Sequence, residues 1–334
     1  MQTTVSAKTT AQGELLFNRL SKRYKHLKKW ARRTGTNAFR LYDRDIPEIP
    51  LVLDLYDDAV SGALYRSSLK KDTEDFQPIE ESWLSVMKGA ASRALDIPEN
   101  RIFLKQRMRM RRRQEEGTQY VKAVDTGRSF YRDVKEGDIC FRVNLSDYLD
   151  TGLFLDSRRK RALIRKEAAG KRFLNLFAYT CSLSVAAAKG GALQADSVDL
   201  SNTYLEWGKI NFAINKLDAP APSFIRSDVM RFITQAARAQ RRWDIIILDP
   251  PSFSNSKKMN GVLDIRRDHR ELIHKSLSLL SPGGTLYFSS NAKGFHLDSK
   301  DFPEITVKDI TKDLEDEDFK RKRIPVCYTL TRSI

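Results

Sequence analysis

Along the second half of the chain, short apolar runs alternate with longer stretches of helical spacing. The runs cover 172–177, 194–199, 223–226, 245–249 and 284–288, and an alanine-rich segment (Val185 to Ala188) and a stretch ending at Asn215 lie between them. Strand followed by helix, repeated this way, predicts an α/β domain: a mostly parallel sheet with helices on both faces, and a site at the carboxyl ends of the strands where their order reverses. The first half is patterned differently. Shorter alternating runs at 38–42, 51–56 and 59–65, a helix over 81–95, a strand at 101–105 and a hairpin over 130–143 turning at Glu136-Gly137-Asp138 predict a small α+β domain. Ahead of it Leu16, Leu20, Tyr24, Leu27 and Ala31 recur at helical spacing, with Gly35 as the stop. The layout expected is a disordered tail (1–13), a basic amphipathic helix (14–35), the small α+β domain (36–145) and the α/β domain (146–334).

Charge changes this picture by its location. The net charge is +16, and two stretches account for all but one unit of it: residues 1–34 hold nine Lys/Arg against Glu14 alone, and residues 101–113 hold seven against no acid. A nearly neutral body with two basic arms points to a polyanionic partner. The first helix could meet RNA backbone, a membrane surface or a partner helix, and with no lipidation or targeting signal RNA is favoured, with Lys22, Lys25, Lys29 and Arg32 as contacts. Arg107, Arg109, Arg111 and Arg113 alternate with Met108 and Met110. Whether extended, with the guanidiniums on one side, or a disordered basic loop, that segment can touch phosphate. Three scattered cysteines show no disulfide framework and no zinc-ligand spacing, so no metal is expected. No signal region or membrane span is seen, and a cytoplasmic protein is expected.

The chemistry sits at the strand ends. Ile245-Ile-Ile-Leu248 must leave the sheet at Asp249, because Pro250 and Pro251 cannot continue the ladder and fix φ. The carbonyls beyond them and the Phe253 ring are then held where a planar base can be bonded and stacked, beside a methyl donor. An ordinary strand-ending turn uses the same dipeptide; the other strand ends add weight. Asn175-Leu-Phe-Ala-Tyr-Thr-Cys-Ser182 enters a helix with free backbone N–H groups beside a ligand, and it lacks the Gly-x-Gly-x-x-Gly of a dinucleotide site, which disfavours hydride transfer. Asp199 ends the next strand, placed to accept both hydroxyls of a ribose, and Asp228 ends the third, placed to accept from an adenine amino group. Each also precedes a helix and could be its N-cap.

Nearly the whole chain resembles the RlmK half of the bifunctional RlmKL proteins, S-adenosylmethionine-dependent 23S rRNA guanine-N7 methyltransferases. The matching stretches include Asn18-Arg-Leu, Lys29-Trp-Ala-Arg, the run from Asn144 through Asp147-Tyr-Leu-Asp-Thr-Gly-Leu-Phe-Leu-Asp156 to Arg158, Asn175-Leu-Phe-Ala-Tyr-Thr, Val198-Asp-Leu-Ser-Asn-Thr-Tyr-Leu-Glu-Trp207, Asp249-Pro-Pro-Ser-Phe-Ser-Asn-Ser-Lys257 and Arg267-Asp-His269. The resemblance implies a Rossmann-like class I methyltransferase domain with S-adenosyl-L-methionine as cofactor. It implies that Asp199, with Leu200 and Ser201, binds the donor's ribose, and that Asp228, with Val229, binds its adenine. Phe177, Ala178, Tyr179, Thr180, Cys181 and Ser182, after Asn175, would wrap its methionine portion, Asp156 and Arg158 would border the pocket, and Asp249 would close it. Where the family usually has Gly, this chain has Cys181, whose Cβ is expected to crowd the donor. The large N-terminal half of RlmKL has no counterpart here, so the chain reads as a stand-alone enzyme and leaves room for a separate protein in place of that half.

RlmI-like rRNA cytosine-C5 methyltransferases resemble this chain more distantly and use a cysteine thiolate. Their Ser-Cys-Ser aligns with Ser289-Ser290-Asn291, and Ser252 stands at the other position, so covalent C5 chemistry is disfavoured. Guanine N7 has an in-plane lone pair and no proton to lose. Alignment alone can supply about 7–11 kcal/mol in favourable cases. Asp249, Pro250, Pro251 and Phe253 are therefore the catalytic candidates, acting on an extruded base. Asn255, Ser256, Lys257 and Lys258 would grip its phosphates, and His269 and His274 read as surface residues. The expected partner is 23S rRNA or a large-subunit precursor. Two alternatives stay open: another rRNA base methyltransferase, and a non-enzymatic RNA-binding assembly factor, for which Cys181 is the argument. Deleting residues 1–34 is expected to flatten the salt dependence of RNA binding and spare donor affinity.

Overall fold

The computed structural model describes residues 5–65, 76–107, 129–218, 222–254 and 262–332, with backbone alone at 76–80 and 106–107. The chain divides into two compact units: Met1–Asp138 with Val143–Thr151, and Ile139–Arg142 with Gly152–Ile334.

In the first unit α1 (Ala7–Thr34) precedes β1 (Ala38–Asp43), β2 (Leu51–Tyr56) and β3 (Ala59–Tyr65), and α2 (Phe76–Leu95) precedes β4 (Ile102–Arg107). The four strands form one sheet in chain order, antiparallel except for the β3–β4 pair. Leu16, Leu20, Leu27, Trp30 and Ala31 of α1 enter its core together with Met87, Ala90 and Ala91 of α2. Residues 7–13 thus belong to the helix and not to a disordered tail. Ser6 caps it, its Oγ accepting from the Thr9 N–H at 3.1 Å. Gly13 is where α1 approaches α2, since a Cβ there would stand 2.7 Å from Val86 Cγ1. Deleting residues 1–34 would strip this core, so the expected selective effect of that deletion does not follow.

The strands β5 (Tyr131–Glu136) and β6 (Ile139–Asn144) make the expected hairpin, turning at Gly137 with φ +64°. Its outgoing residues count with the second unit, where two asparagines bind their backbone: Cys140 N–H donates to Asn215 Oδ1 at 2.8 Å and Arg142 N–H to Asn211 Oδ1 at 2.9 Å.

The second unit runs α3 (Arg158–Glu167), β7 (Arg172–Leu176), α4 (Ser182–Lys189), β8 (Gln194–Asp199), α5 (Asn202–Ile214), β9 (Ser223–Arg226), α6 (Val229–Arg238), β10 (Trp243–Leu248), β11 (Phe253–Ser254), β12 (Leu263–Asp264), α7 (Ile265–Leu277), β13 (Leu280–Ser290), β14 (Ile305–Asp309) and β15 (Val326–Arg332). Seven of these strands form one sheet in the order β14-β15-β13-β10-β7-β8-β9. The five central and edge strands from β13 to β9 are parallel, and β15 runs antiparallel to both β13 and β14. Ile246 and Leu248 of β10 pack in one cluster with Phe232 and Ile233 of α6 and Leu272 and Ile273 of α7. Ile245 and Ile247, on the opposite face by strand alternation, are equally buried. After β9 the chain crosses to the other side of β7, so the order reverses between β7 and β10. Leu248 pairs with both Leu176 and Phe288, and Leu176 pairs with Val198. Phe177, Asp199, Asp249 and Ser289 therefore lie in one row at the carboxyl edge. No helix among the described residues is long and apolar enough to cross a membrane.

Candidate active site

The loop from β7 to α4 is bent by three non-glycine residues in the left-handed region: Phe177 at φ +61°, Tyr179 at +51° and Cys181 at +60°. Each costs roughly 1–2 kcal/mol for an L-residue, and such strain concentrates at functional sites. Between them Ala178 and Thr180 turn inward. Ala178 N–H donates to Val198 O at 3.0 Å, and Thr180 Oγ1 donates to Gly152 O at 2.6 Å. Phe177 and Tyr179 are left half-exposed along the cleft. Tyr179 packs edge-on to Tyr204 and also against Phe154, an exposed residue, with centroids 5.0 Å apart. Ser182, half-exposed, opens α4.

The Asp199 carboxylate is fixed from both sides, Oδ2 accepting from Tyr179 N–H and Oδ1 from Ser201 N–H, each at 2.8 Å. Burial raises its pKa, against the backbone N–H groups of Ser201, Tyr179 and Leu200, which pull it down. Ser201 caps α5 by accepting from Tyr204 N–H. Asp228 lies two residues beyond the end of β9 and caps α6, its Oδ1 accepting from Arg231 N–H at 2.9 Å, while Val229 is buried in the core. Asp228 thus has the helix-capping role, and Val229 can offer only backbone.

Two expected cofactor contacts are corrected. Asn175 lies in β7 as expected, but its side chain is 2% exposed and donates to Ser184 Oγ at 3.0 Å, so it is engaged in the core. Arg158 is buried and held by Asp318 at 2.9 and 3.1 Å and by Asp316 at 3.0 Å, so it braces the fold; Asp156 beside it stays half-exposed. Nor does Cys181 crowd the cleft. Its side chain is fully buried and turned toward α5, where a Cβ added to Gly208 would stand 2.5 Å from Sγ. Burial pushes this thiol up to about 12. The residues fit an adenosyl ligand: a carboxylate fixed at one strand end, a tightly bent loop beside it, and a Cys181 side chain packed toward Gly208 of α5.

On the other side of β7, Asp249 follows β10 with its side chain 33% exposed. Pro250 is buried, whereas Pro251, Ser252 and Phe253 are exposed. Phe253 is held by pairing with Asp264 in the short β11–β12 ribbon. The sequence reading missed the residue behind Asp249. Lys160 of α3 donates from Nζ to Asp249 Oδ2 at 2.7 Å and to Ser289 Oγ at 2.8 Å. Ser289 in turn lies 3.6 Å from Cys327 Sγ, a thiol 1% exposed and pushed up by burial although Lys160 pulls it down. His269 is not a surface residue: it is buried, with Nδ1 at 3.0 Å from Ile265 O and its ring edge-on to Phe295. Lys22, Lys25, Lys29 and Arg32 are exposed on α1. The side chain of Arg107, and Arg109, Arg111, Arg113, Asn255, Ser256, Lys257 and Lys258, lie outside the described residues.

A family model described as S-adenosylmethionine-dependent methyltransferase matches residues 77–304. The ribosomal RNA large subunit methyltransferase K of Neisseria meningitidis serogroup B is 44% identical over 313 residues, 94% of this chain and 86% of that protein. The ribosomal RNA large subunit methyltransferase K/L of Allochromatium vinosum is 42% identical over 320 residues, 95% of this chain but 42% of that protein, so the chain spans less than half of such K/L relatives. Among solved structures, the SMU.776 methyltransferase complexed with SAH covers 95% of this chain and 81% of its own at 26% identity and a TM-score of 0.73. A SAM-dependent methyltransferase from Streptococcus mutans covers the same shares at 25% identity and a TM-score of 0.71. With its strand-end row and strained loop in place, the chain belongs to the S-adenosylmethionine-dependent methyltransferases, in the K group of the ribosomal RNA large subunit enzymes.

Proposed function

We propose that the protein methylates N7 of a guanine in large-subunit ribosomal RNA, and that this substrate places it in the cytoplasm. The names of its relatives support ribosomal RNA as the substrate class. The observation that carries the choice of atom is the absence of an available thiol beside Asp249 among the described residues. Ser289 and Ser290 stand at the strand end, and Cys327 behind Ser289 is buried with its thiol protonated. Chemistry that needs a thiolate is thereby disfavoured, and guanine N7 needs neither a nucleophile nor a base.

When bound, S-adenosylmethionine supplies an electrophilic methyl group on a sulfonium. Asp199 would accept the ribose hydroxyls, with the Phe177–Ser182 loop curving past the remainder and Asp228 and Val229 at the adenine end. Asp249 would accept from the Watson–Crick edge of the extruded guanine, leaving N7 on the opposite edge free to react, and its negative charge offsets the positive charge the ring acquires. Phe253 would stack on the base, and the rigid Pro250-Pro251 turn keeps both groups in place. Lys22, Lys25, Lys29 and Arg32 would hold backbone phosphates.

Labelled donor and ribosomal RNA with purified protein test this. N7-methylguanosine is expected in the nucleoside digest, and Asp249→Ala should lower kcat/KM about 10- to 100-fold, the worth of one charged hydrogen bond. Methyl-5-cytosine in the digest, or full activity in Asp249→Ala, overturns it.

A further inference from the structure

An ammonium group is buried where two strand ends meet. The Lys160 side chain is 4% exposed, and its Nζ joins Asp249, just past β10, to Ser289 of the neighbouring β13 at 2.7 and 2.8 Å. A buried cation is retained only where partners offset its missing hydration. Its partners here converge from separate segments. Asp249 bonds it, Asp156 acts on it through charge, and Cys327 lies behind Ser289. Burial works against the charge, and the Asp249 carboxylate with these neighbours outweighs it, so the ammonium stays protonated above its usual range.

The geometry within Asp249 is equally specific. Lys160 takes Oδ2, and Oδ1 has no hydrogen-bond partner among the described residues on a side chain that is one-third exposed. One oxygen is anchored by the buried ammonium and the other is left without a protein donor among the described residues. We propose that Lys160 is a positioning residue for methyl transfer: by occupying Oδ2 and bracing it against Ser289, it fixes the Asp249 carboxylate so that Oδ1 receives the edge of the substrate base. This rests on the reading of Asp249 as a substrate contact. A compact ammonium suits the role, since its tetrahedral donors reach both oxygens from one buried point, whereas a planar guanidinium is larger and presents its donors in a fixed fork.

The test is a double-mutant cycle in the full chain, with labelled S-adenosylmethionine and a large-subunit ribosomal RNA transcript. Lys160→Met should lower kcat by up to about 10²-fold, the scale of a misplaced reacting group, while calorimetry shows unchanged S-adenosylmethionine affinity. Asp249→Asn should lower it similarly, and the double variant should be no worse than Asp249→Asn alone, because the lysine acts only through that carboxylate. The double variant replaces the pair by neutral groups of similar size, so it reports even if Lys160→Met alone melts. Lys160→Arg should recover part of the rate, since a cation is then restored beside Asp249 Oδ2. If Asp249→Asn keeps full activity, the reading of the substrate contact fails first. If Asp249→Asn is impaired but Lys160→Met multiplies that loss in full, leaves kcat unchanged, or weakens donor binding instead, the positioning role is overturned while Asp249 keeps its own.

Discussion

At the scale of single residues, Cys181 and Gly208 behave as one unit. The thiol occupies the space a side chain at 208 would need, so Gly208→Ala should lose about 1–3 kcal/mol by overpacking. Adding Cys181→Gly should recover most of that loss, because it removes the obstructing sulfur and relieves a left-handed L-residue worth roughly 1–2 kcal/mol. Denaturant midpoints of the two single variants and the double variant decide it, and additive losses would contradict the coupling. Asp199 makes a second residue-scale prediction. An acid whose pKa is raised takes up its proton at a pH above the ordinary carboxylate value of about 3.9, and the protonated form accepts hydroxyl hydrogen bonds less well. S-adenosylmethionine affinity should therefore weaken on acidification with a midpoint above that value, measured by calorimetry across a pH series. Affinity that stays flat until the ordinary range is reached would show that Asp199 does not hold the ribose.

At the scale of elements, α1 carries an apolar face in the core and a basic face in solvent, and the two can be separated only by substitution. Changing Lys22, Lys25, Lys29 and Arg32 to glutamine leaves Leu16, Leu20, Leu27 and Trp30 in place. The slope of log K for single-stranded RNA against log salt should then flatten by about 0.7 for each phosphate no longer neutralised, read from filter binding at several ionic strengths. An unchanged slope assigns that face to something other than RNA. The elements themselves were largely legible. The runs at 51–56, 59–65 and 194–199 coincide with β2, β3 and β8, because strands buried on one or both faces must show their period in sequence, and the run at 223–226 coincides with the partly exposed β9. Two kinds of element were not. Helix α3 is written as Arg158-Arg159-Lys160-Arg161, a pattern that reads as a solvated surface, yet Arg158, Lys160 and Arg161 are all buried. The strands β14 and β15 are partly exposed and alternate weakly, so nothing in their spacing announces that β15 slips between β13 and β14.

At the scale of the whole molecule, what sequence conveys about the site divides by distance along the chain. The strand-end positions of Asp199, the Phe177–Ser182 loop and Asp249-Pro250-Pro251 were readable because each is a local event at the end of one strand. Lys160 was not, since its partners Asp249 and Ser289 lie 89 and 129 residues away and only the sheet order brings them together. Asn175 shows the same limit on a smaller scale: its place in the first strand was legible, but its buried hydrogen bond to Ser184 of the following helix was not. The three left-handed residues between β7 and α4 have a consequence that reaches well past their own loop. Their shape is imposed by neighbouring hydrogen bonds and packing, so any substitution that softens this surrounding scaffold will let the loop relax before the sheet itself gives way. A random library of this chain should accordingly be rich in variants that express and melt cooperatively yet no longer retain the methyl donor.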